Sequence, residues 1–386
     1  MRSTPVSPAC QWPSATWKAQ FRRRLLAWYE RHARDLAWRR SRDPYRVWVS
    51  EIMLQQTQVA TVADYFPRFL AAFPTVTALA AAEEEQVLRL WEGLGYYRRA
   101  RQLHRAAKVI VAEHQGRFPD DIEAVRNLPG IGRYTAGAIL SIAFDARQPI
   151  LEANTVRLFS RLIAYRGDPY CQAGQNLLWR LAEELLPRSR ASQFNQGLME
   201  LGSVVCTSRT PACESCPVRS LCPTQEQGLQ QSIPRPKSKP RIEAVREVLL
   251  VVRYRDRVLL RRREAQERWA GLWDFPRFEI DEAGSTWADG ITEKLAAATG
   301  VVAQIASPLT TIKHGVTRFR ITLDCRWADC LRAPRRLPHE VRWVRPSQLT
   351  DYPLSTTGRK VAVAVVTCAW QPKNVRRTCA SGEREA

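Results

Sequence analysis

Four cysteines fall within residues 206–222, "CTSRTPACESCPVRSLC", in a chain that carries ten in all. Cys206, Cys213, Cys216 and Cys222 are separated by six, two and five residues. Cysteines so close in sequence share one compact loop, which the rest of the fold must accommodate. A zinc ribbon presents two C-x2-C knuckles separated by a longer stretch. Here a single C-x2-C is flanked by lone cysteines, and that set of soft thiolates suits a [4Fe–4S] cubane with one sulfur per iron. A zinc site and inert buried thiols are the other readings. The N-terminus has no apolar core of signal-peptide length, and no run of eighteen apolar residues is present. The expectation is therefore an intracellular protein, cytoplasmic if bacterial, with reduced thiols and no membrane span. Cys10, Cys171, Cys325, Cys330, Cys368 and Cys379 form no comparable group and read as ordinary reduced thiols.

Lys and Arg number 59 against 38 Asp and Glu, a formal charge of +21 over 386 residues. The basic residues recur along the whole chain, which points to a polyanion, most simply nucleic acid, more than to a solubilising surface. The texture is helical from residue 17 to about 224. "ATWKAQFRRRLLAWYERHA" spaces Phe21, Leu25 and Trp28 as a helix would, and "RVWVSEIMLQQTQVATVADYFPRFLAAF" continues the period over two helices. "RARQLHRAAKVIVAEHQG" closes on Gly116, and Asn154 is placed to cap a helix over "TVRLFSRLIAY". Residues 225–242, rich in Pro, Gln, Ser and Lys, read as a linker. From 243 to 370 the pattern is α+β. Two strands meet at a turn near Arg255-Asp256, a helix covers "STWADGITEKLAAATG", and further strands cover "TRFRITLDCRWA" and "HEVRWVRPSQL". Residues 1–16 and 371–386 read as tails, the second disordered.

"LPGIGRYTAGAI", residues 128–139, sets Gly130 and Gly132 about an apolar residue in a tight turn between helical segments. Glycines there let successive N–H groups face one phosphate oxygen. That is the form of a helix-hairpin-helix, which grips the DNA backbone without reading sequence.

Together with "DPYRVWVSEIMLQQTQV", "LWEGLGYYRRARQLH", "FNQGLMELG" and the cysteine run, all in one order, the chain resembles the helix-hairpin-helix DNA glycosylases. Within them it resembles the A/G-specific adenine glycosylases, over roughly residues 20 to 365. The resemblance implies a mostly α glycosylase domain holding a [4Fe–4S] cluster, followed by an α+β Nudix-like domain. It implies excision of adenine from mispairs with 8-oxoguanine or guanine in double-stranded DNA, by a monomer. Breaking that N-glycosidic bond needs a protonated carboxyl group for the base and an ionised one for the sugar cation, with the base flipped into a pocket. Glu51 matches the family's general acid, and its helical neighbours Val47, Trp48 and Leu54 would desolvate it. Tyr134 matches an active-site tyrosine, Arg34 and Glu200 match adenine contacts, and Asn154 matches a residue beside the sugar. Gln56 and Tyr96 match wedges into the duplex, with Leu54 and Thr57 near the opposite base.

Two stretches depart from the family's pattern, residues 152–153 and 316–318, and the Nudix-like domain departs from the pattern of a hydrolase. Glu152 and Ala153 stand where Asp and Gly are expected; the charge is kept, one methylene further out. Tyr134 stands where lyases of the superfamily carry lysine, so no Schiff base can form there. In the Nudix-like domain Lys294, Ala297 and Ala298 replace metal-binding carboxylates, which predicts binding without hydrolysis. The family's 8-oxoguanine-reading Phe-Ser-His loop aligns with Val316-Thr317-Arg318 after His314, so that Thr317 keeps a hydroxyl while the Phe and His are lost. A glycosylase for another mispaired base, a catalytically weak mismatch-binding protein and a Nudix pyrophosphatase are the competing readings.

Overall fold

The computed structural model describes residues 10–237, 241–280 and 287–367. Most of the two expected tails, with Cys368 and Cys379, lies outside the described residues, as does part of the expected linker at 238–240. The chain divides into two compact units, Met1–Ala82 with Arg99–Lys239, and Glu83–Arg98 with Pro240–Ala386.

The helices in chain order are α1 (Ala15–His32), α2 (Pro44–Leu54), α3 (Val59–Ala72), α4 (Val76–Ala81), α5 (Glu84–Leu90), α6 (Arg98–Glu113), α7 (Ile122–Asn127), α8 (Arg133–Phe144), α9 (Ala153–Leu162), α10 (Gln172–Leu185), α11 (Ala191–Glu200), α12 (Pro223–Glu226), α13 (Trp287–Thr299) and α14 (Thr356–Thr367). Those of the first unit follow from local chemistry. Ser14 caps α1 by accepting from Trp17 N, and Phe21, Leu25 and Trp28 form its buried stripe. Asp43 caps α2, and Pro44 at its first position has no N–H to lose. In α8 every residue from Thr135 to Ile142 is buried, polar Thr135 and Ser141 included, and the helix packs against α2 and α11. Phe194 of α11 meets Phe21 of α1 edge-on, 6.1 Å between ring centroids. Among the described residues no helix is long and apolar enough to cross a membrane.

The second unit is built on a mixed sheet of β1 (Glu243–Tyr254), β2 (Arg257–Arg262), β3 (Trp273–Asp274), β4 (Arg277–Glu279), β5 (Val302–Val316), β6 (Phe319–Arg332) and β7 (Val341–Val344). The main path runs β3-β2-β1-β6-β5, with β4 on β1 and β7 on β2. β1 and β6 are parallel, and the remaining pairs are antiparallel. The unbroken apolar run of β1 is the mark of a strand covered on both faces. Leu249 and Val251 join a core with Val361 and Val365 of α14, while Val248, Leu250 and Val252 join Ile291 and Leu295 of α13 on the other face. The expected turn falls at Arg255-Asp256, with Arg255 left-handed at φ 55°. β5 was not anticipated. Pro308 interrupts its sequence, and its ladder with β6 shifts register on both sides of that proline, so that alternation holds only over Thr310–Val316, beyond the break.

Candidate active site

A cavity of about 520 Å³ opens in the first unit, lined by Glu51, Tyr134, Glu152, Asn154, Arg34 and Glu200 together with Leu54 and Thr57. Glu51 projects from α2, where Val47 through Met53 are all buried. It is 5 % exposed, and its Oε2 accepts from Tyr134 Oη at 2.8 Å. Burial pushes its pKa up to about 7, raised further by Glu152 and opposed by the tyrosine hydrogen bond and by Arg39. Tyr134 itself stays protonated far above neutrality because of burial and the two carboxylates nearby. The pocket thus holds one carboxyl group that can carry a proton near neutral pH, with a fixed donor against it.

Glu152 is placed differently from expectation. It, and not Asn154, caps α9: its Oε2 accepts from Asn154 N at 2.8 Å and its Oε1 from Thr155 N at 2.9 Å. Thr155 Oγ1 completes a capping box by accepting from Glu152 N at 2.7 Å. The extra methylene lets the carboxylate reach over the first turn, and the helix dipole favours its charge. Burial nonetheless holds its pKa above the ordinary value, against those two amides and Arg157. Asn154 lies inside the first turn, and its Oδ1 accepts from Arg157 at 3.0 Å.

Glu200 ends α11, where the backbone widens into a π-turn over Leu201–Val205, a distortion common at functional sites. It is fully buried and accepts from Arg34 Nε at 2.6 Å, from a second Arg34 nitrogen at 2.9 Å and from Arg39 at 2.7 Å. Burial would raise its pKa, but the two guanidiniums outweigh that and hold it below the ordinary value. Arg39 was missed in the sequence: it sits in the single 3₁₀ turn Ala37–Arg39, too short to show a period.

The remaining predicted residues are distributed over both units. Arg99 braces the end of α2, donating to the carbonyls of Ile52 and Met53 at 2.9 Å and to Thr57 Oγ1 at 3.0 Å, and also to the carbonyl of Gln55. Beside it Gln56 is exposed and left-handed, φ 57°. Gly130 is left-handed at φ 81°, and a Cβ there would stand 2.6 Å from Gln102 Cβ. Gly132 caps α8 without a side chain over its first amides. Tyr96 and Thr317 belong to the second unit. Tyr96 is 51 % exposed with φ 47°, and Thr317, φ 51°, sits at the tip of the β5–β6 hairpin. Lys294 is exposed on α13.

Cys206, Cys213, Cys216 and Cys222 surround one small space floored by Leu158, Leu162, Val205 and Val218. Burial pushes the Cys216 thiol up to about 12 and that of Cys222 up to about 11, and the neighbouring sulfurs add to it. Arg161, 3 % exposed, faces this space. It donates to Cys206 Sγ at 3.3 Å and to the carbonyls of Thr207, Ser208, Gln230 and Ile233 at 2.7–3.2 Å. A buried cation facing four sulfurs suits thiolate ligation of an anionic group. One turn earlier on α9, Arg157 donates to Cys206 O at 2.7 Å and to Gly202 O at 2.6 Å as well as to Asn154. The signal for both was legible, as two arginines four residues apart on a helix whose other face is apolar.

Residues 49–184 match the HhH-GPD superfamily of base excision DNA repair proteins. Residues 206–222 match the iron-sulfur binding domain of endonuclease III, and residues 247–363 match the NUDIX domain. An adenine DNA glycosylase of Buchnera aphidicola (subsp. Baizongia pistaciae) is 35% identical over 310 residues, 80% of this chain and 85% of that protein. The chain belongs to the adenine DNA glycosylase family. The rat adenine DNA glycosylase is 46% identical over 228 residues, 57% of this chain. That match spans 44% of the rat protein, so the chain covers less than half the length of this relative. Among solved structures, a thermostable thymine-DNA glycosylase aligns with TM-score 0.51 and 29% identity over 55% of this chain and 98% of its own.

Proposed function

We propose that this chain hydrolyses the N-glycosidic bond of adenine mispaired with 8-oxoguanine or guanine in duplex DNA inside the cell, without cutting the strand. The observation that carries the reading is the pairing, in one pocket, of a carboxyl group raised to about 7, Glu51, with a second carboxylate held over a helix N-terminus, Glu152. Glu51 delivers its proton to adenine N7. The C1′–N9 bond then breaks, with its electrons going to the base. Glu152 opposes the positive charge left on the sugar, and water adding at C1′ gives up a proton that restores Glu51, leaving an abasic site and free adenine. Tyr134 orients Glu51, and Glu200, held by Arg34 and Arg39, supplies an acceptor for the exocyclic amine. Asn154 sits beside the sugar.

Gln56 and Tyr96 fill the gap left by the flipped base, with Leu54 and Thr57 by the opposite base, while the amides around Gly130 and Gly132 hold a phosphate. The Nudix-like domain reads the opposite base through Thr317, and Lys294 with its neighbouring alanines leaves it without metal-dependent hydrolysis. Cys206, Cys213, Cys216 and Cys222 would hold a [4Fe–4S] cluster, whose contribution is to order the loop that Arg157 and Arg161 tie to α9. The anaerobically purified protein should be brown, with about four irons per chain; stoichiometric zinc would refute the cluster.

Single-turnover excision separates the roles. Glu51→Gln should lose roughly 10²–10⁴-fold in rate and Glu152→Gln about 10²–10³-fold, with DNA affinity nearly unchanged because phosphate contacts dominate it. Full activity in Glu152→Gln would leave the carboxylate without a catalytic role. Borohydride should trap no covalent DNA adduct, and a strong adduct would show an amine acting as nucleophile.

A further inference from the structure

Glu83–Arg98 and the C-terminal sheet domain form one compact unit, and specific polar bonds join them. Arg359, in the first turn of α14, donates from Nε to Glu92 Oε1 at 2.6 Å and from an Nη to Oε2 at 2.9 Å, a two-pronged pair. Its other N–H groups donate to the carbonyls of Leu349 and Tyr352, both at 2.7 Å. Leu354 N reaches Glu92 Oε2 at 3.4 Å, Arg89 donates to Thr350 O at 2.7 Å, and Trp273 Nε1 donates to Glu85 Oε1 at 2.9 Å. The Glu92 side chain is 11 % exposed and that of Arg359 23 %, so solvent screens the pair only weakly.

Tyr96 lies four residues beyond Glu92. The turn between them uses left-handed Gly93 and Gly95, φ 98° and 70°. It closes on itself: Trp91 Nε1 donates to Gly95 O at 3.2 Å, and Gly93 N to Tyr97 Oη at 3.3 Å. Trp91, Leu94 and Tyr97 are buried while Tyr96 stands half exposed. An aromatic residue held in the left-handed region persists only where its surroundings over-determine it.

We propose that Arg359, acting through Glu92, is a positioning residue for Tyr96. The domain assigned to the base opposite adenine and the side chain assigned to the gap left by adenine then form one body, so recognition of the opposite base and extrusion of adenine are coupled. This rests on the reading of Tyr96 as the wedge.

The test uses the full chain and a duplex carrying 2-aminopurine in place of the mispaired adenine, whose fluorescence rises when it leaves the stack. Arg359→Glu and Glu92→Arg should each weaken extrusion at least about fivefold, the low end of ordinary coupling between sites. The double charge-swapped variant should recover most of it. In a Tyr96→Ala background, Arg359→Glu should add nothing further, whereas a general structural role would add its cost again. If Tyr96→Ala leaves extrusion unchanged, the wedge reading fails. If Tyr96→Ala weakens extrusion but Arg359→Glu does not, or if the two effects simply add, the positioning role is overturned.

Discussion

Glu51 cannot be ionised cheaply where it sits, and the consequences can be measured at the level of this one side chain. Its folded pKa of about 7 lies above the ordinary 4.5. Its contribution to stability is therefore full below the unfolded value and lost as pH rises through about 7. Glu51→Gln should melt higher than the parent protein at about pH 8, by up to about 3 kcal/mol from the size of the shift, and the difference should close near pH 4. Excision needs the protonated acid, so the rate should fall as pH rises through about 7, and the raised pKa of Glu152 should set the rising limb on the acid side. Tyr134→Phe removes a hydrogen bond that lowers the Glu51 pKa. The falling limb should then move to higher pH, which a pH–rate profile under single turnover would show. Glu51 was legible through the motif that carries the family resemblance; a helix that also holds Arg46 and Ser50 did not by its period separate a buried acid from a solvated one. Arg39 was not, because its role comes from a contact with Glu200, 161 residues away.

At the level of elements, α9 carries much of the design. Its cap is Glu152, and it carries the half-buried Arg157 and the buried Arg161, so one helix spans from the pocket to the cysteine loop. Glu152→Asp should keep a helix cap, since aspartate caps as well as any residue. It would also withdraw the carboxylate from the pocket, and excision should slow. A faster reaction would mean that the longer side chain is a tolerated flaw. Arg161→Met strips donors from four carbonyls, of which that of Ile233 is buried and the others partly so, and from a sulfur, a loss of roughly 1–3 kcal/mol for each buried acceptor left unpaired. Calorimetry should show a lower melting temperature, and iron analysis a lower cluster content. α1, α2, α3, α6, α9 and α13, with β1, β2, β6 and β7, could be read from periodicity, caps and turn residues, whereas α14, β3 and β4 were not anticipated. The cap of α9 was misplaced by two residues because Asn154 and Glu152 both satisfy capping chemistry, and the Glu side chain is long enough to reach. β5 stayed hidden behind Pro308.

Taken whole, the chain joins a helical unit that holds the pocket and the cysteine loop to a sheet unit that carries Tyr96 and Thr317, under a formal charge of +21. That charge predicts DNA affinity that falls steeply with salt, whichever base pair is present. The two-unit plan was legible in the shift from helical to strand texture near residue 225. The membership of 83–98 in the second unit was not, because it depends on ion pairs such as Arg359–Glu92, formed across 267 residues of sequence. Adenine excision is tested by alkaline cleavage of labelled duplexes carrying adenine opposite 8-oxoguanine, guanine, cytosine or thymine. Alkali-dependent breaks are expected at the adenine opposite 8-oxoguanine and guanine, few or none opposite thymine, and intact strands without alkali. Intact adenine strands after alkali, or breaks that need no alkali, would contradict it.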